Sequence, residues 1–465
     1  MPAESFPSGQ LFYFAEWLIR LVALVVVPYR RPFTATAWLL LLFFLPVPGL
    51  LLFLAIGEPR FPKWRAEQSR KLRPFQHGLA ASLVADRAPA NAVAKLAERL
   101  GYLPAVGGNS IELIGDYDGL VERLIADIDS AKRNISILVY IFADDAIGRS
   151  VSAALARAVR RGVNCKVLID SFGSSKWMKG TLQLLEQAQV DTHQALPMRR
   201  LRRRTRRDMR NHRKLFVIDD EIGYAGSQNI VAKDFRCGVV NRELVARCTG
   251  PIVAEISALC WSDWFVETGS TLPDQLIVPD PTGEAVLQLL PSGPDYPKQG
   301  FETLLVWQLH MARRRVVIVT PYFVPGQSLL AAMETASIRG VRVDLVLSRI
   351  VDQRLVNLAQ RSYYQELLRA GVRIHLYGEY LLHAKTVSID DELGILGSSN
   401  VDLRSFELNE EVSLLLFDRA SIEALRSAQD KYIERSGELH MESWKGRGPA
   451  VRLAESLARL VSPLL

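Results

Sequence analysis

The sequence predicts an α/β protein built from two copies of one unit, preceded by a transmembrane helical hairpin. Three observations predict this: an 18-residue string that occurs twice, a repeated alternation of short apolar strands with amphipathic helices, and two apolar segments near the start. Residues 212–229 and 383–400 are identical at ten of 18 aligned positions. Agreement at that level indicates an internal duplication.

The first 57 residues predict the hairpin. Residues 37–56 form an uncharged apolar run of 20 residues, long enough to cross a hydrocarbon core of roughly 30 Å as a helix. The run at 11–27 is weaker because it contains Glu16 and Arg20, which are four residues apart and can pair on one helical face. A cleaved signal peptide followed by one anchor is the alternative. It is disfavoured because the first ten residues contain no Lys or Arg and no small-residue cleavage site follows.

A basic linker follows at residues 58–108, with one helix expected at 90–100 that Pro89 opens. Positive charge next to a membrane span favours the cytoplasmic side. Two arginines lie in the hairpin loop, Arg30 and Arg31, whereas six basic residues follow the second run: Arg60, Lys63, Arg65, Arg70, Lys71 and Arg73. The rest of the chain is therefore expected in the cytoplasm.

The remaining chain predicts two α/β sandwich domains, at 109–280 and 281–465, the second including a C-terminal tail. Each contains a strand, a helix and a further strand, an order that gives parallel pairing. In the first copy these elements are expected at 135–142, 147–161 and 163–169, and in the second at 316–324, 327–339 and 341–347. The landmarks YIF at 140–142 and PYF at 321–323 accompany them.

The net charge and the cysteine spacing limit the classes of ligand and partner that the chain can be expected to bind. The net charge of +7 indicates an anionic partner such as nucleic acid, anionic lipid or a phosphate-bearing substrate. The four cysteines have no metal-ligand spacing, and we interpret them as reduced, mostly buried thiols.

The duplicated string carries the candidate chemistry. His and Lys lie two apart in each copy, as His212 with Lys214 and His383 with Lys385, so on a strand both point to one face. One neutral imidazole can attack phosphorus while the other moves protons, and the ammonium groups neutralise the phosphate oxygens. This chemistry needs no metal or other cofactor. The residues do not say which histidine attacks, and two structural His-Lys pairs are the alternative.

Polar residues after each motif complete the candidate site. Hydrogen-bond donors follow each motif closely: Ser227, Asn229, Ser398 and Asn400. An N-x-E string lies further on and supplies Glu243, 31 residues after His212, and Glu411, 28 residues after His383. Either glutamate can orient an imidazole through its second ring nitrogen, although surface glutamates are the alternative. Asp219 and Asp390 point to ion pairing or turn formation, and the aspartate after each leaves their roles open.

The pattern H-x-K-x4-D-x6-G-S-x-N, present twice, resembles the phospholipase D superfamily. The hairpin resembles that of its bacterial cardiolipin synthase branch, as do the strings RNHRK, TPYFVP, NVDLRSFELNEE and RLVSPLL. The resemblance implies two phospholipase D-like domains forming a pseudo-twofold unit in the bacterial cytoplasmic (inner) membrane. It also implies six catalytic residues: His212, Lys214, Asp219, His383, Lys385 and Asp390.

The reaction implied by the resemblance is transphosphatidylation. One phosphatidylglycerol gives its phosphatidyl group to histidine, usually that of the first copy, and releases glycerol; a second phosphatidylglycerol accepts the group and becomes cardiolipin. The same chemistry with phosphatidylethanolamine or water as co-substrate is an alternative, and a membrane-tethered nuclease is another. A route through a CDP-activated lipid is disfavoured because the sequence lacks DG-x2-AR.

An arginine-rich run ends inside the first motif. Residues 199–214 hold nine arginines, of which Arg206, Arg207 and Arg210 are candidates for holding anionic headgroups. A solvated basic loop and nucleic-acid binding are the alternatives. The hairpin favours lipid over nucleic acid, and the sequence does not indicate an oligomeric state.

Overall fold

The computed structural model describes residues 8–27, 32–57, 63–88, 91–197, 209–236, 239–296 and 299–462. Its α-helices are α1 (Ser8–Val26), α2 (Pro32–Phe44), α3 (Pro46–Leu52), α4 (Lys63–Ser82), α5 (Ala92–Gly101), α6 (Tyr117–Ser130), α7 (Ala146–Arg160), α8 (Met178–Gln187), α9 (Ile252–Thr268), α10 (Gly300–Met311), α11 (Gln327–Ile338), α12 (Arg354–Ser362), α13 (Tyr364–Ala370), α14 (Leu403–Glu407), α15 (Arg419–Glu434), α16 (Met441–Lys445) and α17 (Pro449–Val461).

The strands are β1 (Val106–Ile114), β2 (Asn134–Val139), β3 (Asn164–Asp170), β4 (Asp191–Ala195), β5 (Leu215–Ile218), β6 (Ile222–Gly226), β7 (Asn241–Arg242), β8 (Val245–Thr249), β9 (Ala285–Ser292), β10 (Arg315–Val319), β11 (Phe323–Val324), β12 (Arg342–Ser348), β13 (Arg373–Tyr377), β14 (Leu381–Leu382), β15 (Thr386–Ile389), β16 (Leu393–Gly397), β17 (Val401–Asp402), β18 (Glu411–Leu416) and β19 (Ser436–Leu439).

Fifteen of these strands form one continuous mixed sheet that contains both copies. From its middle, the first copy runs outward as β1-β8-β6-β5-β2-β3-β4 and the second as β9-β18-β16-β15-β10-β12-β13-β19. The central strands β1 and β9 are antiparallel to each other. Because the same order is read outward in both directions, the two copies are related by a pseudo-twofold axis at this central pair.

The predicted strand–helix–strand units are confirmed. β2 pairs in parallel with β3 around α7, and β10 pairs in parallel with β12 around α11. The strand expected at 316–324 is divided, however: β10 ends at Val319 and the chain resumes as β11, which pairs with β17 instead. Pro321 lies in the gap, and a proline cannot donate the backbone hydrogen bond that a central strand requires.

The helix α9 forms the apolar centre of the molecule. Nearly all of its residues are buried because α9 packs against the sheet on one side and α4 on the other. Its side chains share a core cluster with residues of β8, β9 and β18, so both copies contribute to it. The junction of the copies is therefore packed as an interior.

The N-terminal segments differ from the predicted hairpin. Residues 37–56 are divided at Leu45, after which Pro46 opens α3, since proline is accepted at a first helical position. Among the described residues, no helix is both long enough and apolar enough to cross a membrane. The predicted pair of Glu16 and Arg20 is confirmed at 3.2 Å. Arg30, Arg31, Arg60 and Pro89 lie outside the described residues.

Candidate active site

The backbone before each duplicated motif is held by the other copy. The amide of His212 donates to the carbonyl of Glu410 at 2.9 Å, and the amide of His383 donates to the carbonyl of Arg242 at 2.8 Å. The strand β14, which leads to His383, pairs in parallel with β7 of the first copy. The two histidine segments thus meet at the junction, each fixed by the residue that precedes the opposite glutamate.

The two glutamates bind the histidines crosswise. Nδ1 of His212 lies 3.0 Å from both carboxylate oxygens of Glu411, and Nδ1 of His383 lies 2.7 Å from Oε1 of Glu243. The sequence spacing left open which histidine each glutamate serves, and the structure shows that each serves the histidine of the other copy. The physical reason is the crossed backbone pairing, which carries each N-x-E string to the opposite histidine.

Burial keeps the histidines neutral. It lowers the pKa of His212 and lowers that of His383 to about 3, even though the facing carboxylates oppose the shift. Burial alone would raise the pKa of Glu243 and Glu411, but the histidines and lysines lower it below the usual value. An ionised carboxylate only accepts hydrogen bonds, so each imidazole donates from Nδ1 and keeps the lone pair of Nε2 for chemistry.

The two lysines share the site with the histidines. Nζ of Lys214 donates to the carbonyl of His212, and Nζ of Lys385 donates to that of His383 at 2.6 Å. Burial lowers the pKa of Lys214 to about 7 and that of Lys385 to about 8, and the charge of Lys385 contributes to the shifts of both Lys214 and His212. The motifs are therefore close enough to interact, and we call these two histidines, two lysines and two glutamates the histidine site.

The supporting polar residues fall into two groups. Glu411 is held by hydroxyl and amide donors, from Ser398 at 2.5 Å, Ser405 at 2.9 Å and Asn409 at 3.3 Å. The Ser227 hydroxyl contacts the Leu244 backbone and also helps to lower the pKa of Glu243 by hydrogen bonding, and Oδ1 of Asn229 accepts from the Ile141 amide at 3.0 Å. Oδ1 of Asn400 is buried and has no hydrogen-bond partner among the described residues.

Asp219 and Asp390 are not brought to the histidines. Asp219 lies seven positions after His212, at the far end of β5, which corresponds to roughly 20 Å of extended chain. The Asp219 carboxylate accepts three consecutive backbone N–H groups, from residues 132–134, and that of Asp390 accepts three from residues 313–315. These contacts favour the turn-forming interpretation of the two aspartates.

Of the three candidate headgroup arginines, the structure describes one. Arg206 and Arg207 lie outside the described residues. Arg210 is buried, with its guanidinium 4.4 Å from the centroid of the Phe172 ring, and its carbonyl accepts from the Glu410 amide at 2.8 Å. Arg210 is thus part of the backbone crossing that positions His212.

Two features of the site were missed in the sequence. The ring of Tyr140 lies 4.8 Å from that of His212, edge to face, and the repeated YIF landmark was the available signal. The second feature is Asp352, whose carboxylate accepts from the Tyr322 hydroxyl at 2.5 Å and contacts the guanidinium of Arg236, a residue of the first copy. No local spacing links these three residues, so this feature gave no sequence signal.

A buried ion network lies behind His212. Arg213 contacts Asp263 at 2.5 Å and Glu410 at 2.9 Å, and Arg65 of α4 contacts Glu410 at 3.1 Å. Arg65 also contacts Glu267 at 2.8 Å. Buried charges require such pairing, so this network ties the linker helix to the glutamate whose carbonyl holds the His212 backbone.

Comparison with known proteins agrees with this geometry. A family profile described as "Cardiolipin synthase, PLD-like domain" matches residues 124–264 and 305–433. The chain is 35% identical to cardiolipin synthase A of Pectobacterium carotovorum subsp. carotovorum (strain PC1) over 476 residues, covering 98% of each chain. It is 36% identical to cardiolipin synthase A of Shigella boydii serotype 4 (strain Sb227), covering 96% of each.

Solved structures share the fold. A phosphatidylserine synthase from Haemophilus influenzae Rd KW20 is similar with a TM-score of 0.59 at 16% identity, covering 80% of this chain and all of that one. A polyphosphate kinase from Porphyromonas gingivalis is similar with a TM-score of 0.52 at 13% identity, covering 72% of this chain and 49% of that one.

Proposed function

The chain belongs to the cardiolipin synthase family with phospholipase D-like domains, and from that premise we propose that it is a phosphatidyltransferase that makes cardiolipin from two phosphatidylglycerol molecules. The crossed pairing of two neutral, buried histidines with two ionised glutamates is the observation that carries the proposal. Two nucleophilic nitrogens and two ammonium groups around one site suit a phosphodiester, which is anionic and needs a proton for its leaving alcohol.

In the first step, Nε2 of His212 attacks phosphorus and the bond from phosphorus to the glycerol oxygen breaks. His383 donates a proton from Nε2 to that oxygen, so glycerol leaves neutral and the phosphatidyl group remains on His212. The negative charge of the bound phosphodiester raises the pKa of His383 and so allows it to carry this proton. Lys214 and Lys385 neutralise the phosphoryl oxygens.

In the second step, a glycerol hydroxyl of another phosphatidylglycerol gives its proton to His383. The resulting oxygen attacks phosphorus, the bond from phosphorus to nitrogen breaks, and cardiolipin leaves with His212 restored. Glu411 and Glu243 keep both imidazoles in the tautomer that exposes Nε2. Water in place of the second lipid would use the same steps and give phosphatidate, whereas phosphatidylethanolamine would replace the first lipid, with ethanolamine as the leaving alcohol.

The N-terminal residues are proposed to attach the enzyme to the cytoplasmic (inner) membrane as a multi-pass hairpin, with the histidine site in the cytoplasm. The large apolar side chains along α1, including those of Leu11, Phe14 and Trp17, are exposed, and such residues need an apolar environment. The basic residues after the second apolar run support the orientation.

The test is to incubate the purified full chain with phosphatidylglycerol alone and identify the products. Cardiolipin and free glycerol in equal amounts are expected, and an acid-labile phosphatidyl label should appear on the protein during turnover. His212→Ala and His383→Ala should each lower the rate by at least about 1,000-fold because each histidine serves a separate step. Phosphatidate as the sole product would contradict the proposed acceptor, and turnover that requires phosphatidylethanolamine would contradict the proposed donor.

A further inference from the structure

The helix α17 turns its leucines away from the protein. Leu453, Leu457 and Leu460 follow a spacing of four and three, so they lie on one helical face, and they are 62%, 55% and 50% exposed. The opposite face buries Glu455, which accepts from Arg361 at 2.8 Å and also contacts Arg447. A surface helix ordinarily buries its apolar stripe and exposes its charges. This reversed arrangement indicates that the leucines contact an apolar partner outside the chain.

The exposed apolar surface continues onto α12. The two helices pack against each other, and Arg361 near the end of α12 donates to Glu455 of α17. Just after α12, the ring of Tyr363 lies 4.5 Å from the guanidinium of Arg459, one turn further along α17, so the two helices run in the same direction. The N-terminal ends of α12 and α17 are therefore side by side, and Leu355 at the start of α12 is exposed, as is Val351 just before it. We call Val351, Leu355, Leu453, Leu457 and Leu460 the leucine face.

The leucine face reaches the edge of the histidine site. Val351 is adjacent to Asp352, which contacts Arg236 and the Tyr322 hydroxyl. The Arg236 charge in turn adds to the effect of burial in lowering the pKa of Lys385. An apolar partner seated on this face would therefore lie next to the place where the phosphodiester reacts.

The charges around the leucine face match an anionic surface. Three exposed basic residues accompany it, Arg354 at the start of α12, Lys445 at the end of α16 and Arg452 on α17, alongside the exposed carboxylate of Glu442 on α16. The single carboxylate of α17, that of Glu455, is buried. An amphipathic helix with leucines on one side and arginine beside them suits the interface of an anionic bilayer.

We propose that the leucine face lies in the interfacial layer of an anionic lipid bilayer and holds the histidine site at the level of the lipid headgroups. The helix α17 would lie parallel to the membrane with its leucines among the upper acyl carbons. This contact is separate from the N-terminal segments, and its role in substrate delivery rests on the proposed function. A protein partner or a second copy of the chain would cover the same leucines without lipid contact.

Fluorescence in reconstituted vesicles tests where the face lies. The full chain carries Cys237→Ser together with Leu457→Cys, and the other three cysteines are buried, so an environment-sensitive dye labels position 457. In phosphatidylglycerol vesicles we expect a blue-shifted emission that lipids brominated near the headgroup end of the acyl chain quench. The control label, at Glu423→Cys on the exposed surface of α15, should show neither effect. A blue shift without lipid quenching, or no shift, would overturn the proposal.

Activity on phosphatidylglycerol in vesicles and on monomeric phosphatidylglycerol tests whether the leucine face brings the histidine site to the membrane. The variant Leu453→Ser/Leu457→Ser/Leu460→Ser removes apolar side chains that are already exposed, so it should fold normally. We expect its cardiolipin synthesis on phosphatidylglycerol vesicles to fall about tenfold or more. Its turnover of dihexanoyl phosphatidylglycerol, kept monomeric, should match that of the unsubstituted chain. The matched control, with Met at the same three positions, should keep both activities.

The proposed membrane contact would be overturned if the serine variant and the unsubstituted chain had equal rates on vesicles. It would also be overturned if the variant lost the same share of activity on vesicles and on the monomeric lipid. The proposed function fails in a different way. In that case the unsubstituted chain makes no cardiolipin from either form of phosphatidylglycerol, while the dye at position 457 still reports whether the leucine face meets lipid.

Discussion

Burial determines the protonation state of each residue of the histidine site. The pKa of His212 and of His383 is lowered, so both imidazoles are neutral and nucleophilic near pH 7. The same burial lowers the pKa of Lys214 to about 7 and of Lys385 to about 8, so these lysines lose their charge close to neutrality when no anion is bound. A phosphodiester that enters the site supplies the missing negative charge and restores both ammonium groups.

This predicts an alkaline loss of activity. A lysine is charged below its pKa, so kcat/KM should fall as the pH rises through about 7 to 8, where Lys214 and then Lys385 become neutral in the free enzyme. The fall in kcat should occur at higher pH than the fall in kcat/KM because bound substrate raises the pKa of both lysines. Lys214→Arg keeps its charge, so the remaining fall in kcat/KM should begin near pH 8.

Initial rates of cardiolipin formation between pH 6 and 9.5, at several substrate concentrations, measure the alkaline fall of kcat/KM and that of kcat. Lys431→Met, which changes an exposed lysine of α15, is the control and should leave the profile unchanged. A profile of Lys214→Arg that superimposes on that of the unsubstituted chain would rule out Lys214 as the group responsible.

At the scale of elements, the aspartate of each motif ties a β-hairpin to the start of the neighbouring antiparallel strand, which is β2 in the first copy and β10 in the second. Asp219 and Asp390 end β5 and β15 with φ of 55° and 49°, a left-handed conformation that Asp tolerates better than most residues. Each carboxylate accepts three consecutive backbone N–H groups that the sheet leaves unpaired. The duplication therefore repeats a structural turn along with the candidate chemistry.

Replacing either aspartate should affect the free energy of unfolding more strongly than the rate of the reaction. Asp219→Ala or Asp390→Ala leaves three backbone donors without their acceptor, for a loss of about 2–4 kcal/mol in the free energy of unfolding. Glu392→Ala, beside the same turn but exposed, should change it by less than about 0.5 kcal/mol. Urea unfolding followed by tryptophan fluorescence measures this. A variant with unchanged stability and a rate lowered by orders of magnitude would instead indicate a catalytic carboxylate.

For the whole molecule, the local patterns were readable in the sequence and the long-range partners were not. The duplicated string predicted two matching histidine segments, although both His-x-Lys pairs lie just before β5 and β15 and not on a strand. Period-two and helical patterns predicted the parallel units at 135–169 and 316–347. The partner of each histidine depends on which strands meet at the junction, and nothing within the 31 residues from His212 to Glu243 determines that. The bond between Arg65 and Glu410, 345 residues apart, is invisible to spacing for the same reason.

Because the pairing is crossed, the two glutamates have different roles in the reaction. Under the proposed mechanism, Glu411 orients the nucleophile His212, whereas Glu243 orients the proton-transfer residue His383. A phosphatidyl ester of p-nitrophenol has a leaving group that needs no proton, so its first step requires only the nucleophile.

We therefore expect Glu243→Gln to release the first equivalent of p-nitrophenol at nearly the unsubstituted rate and then stop with phosphatidyl-histidine accumulated, because deprotonation of the acceptor is slow. Glu411→Gln should lose the burst itself, by about 100-fold or more, since its nucleophile is no longer held in the reactive tautomer. Stopped-flow absorbance and a chemical quench of labelled lipid measure the burst and the intermediate, with the exposed Glu442→Gln as the control.

If instead Glu243→Gln loses the burst and Glu411→Gln keeps it, then either each glutamate acts on its own copy's histidine or His383 is the nucleophile. Burst assays of His212→Ala and His383→Ala with the same ester tell these apart, because only the variant without the nucleophile loses all p-nitrophenol release.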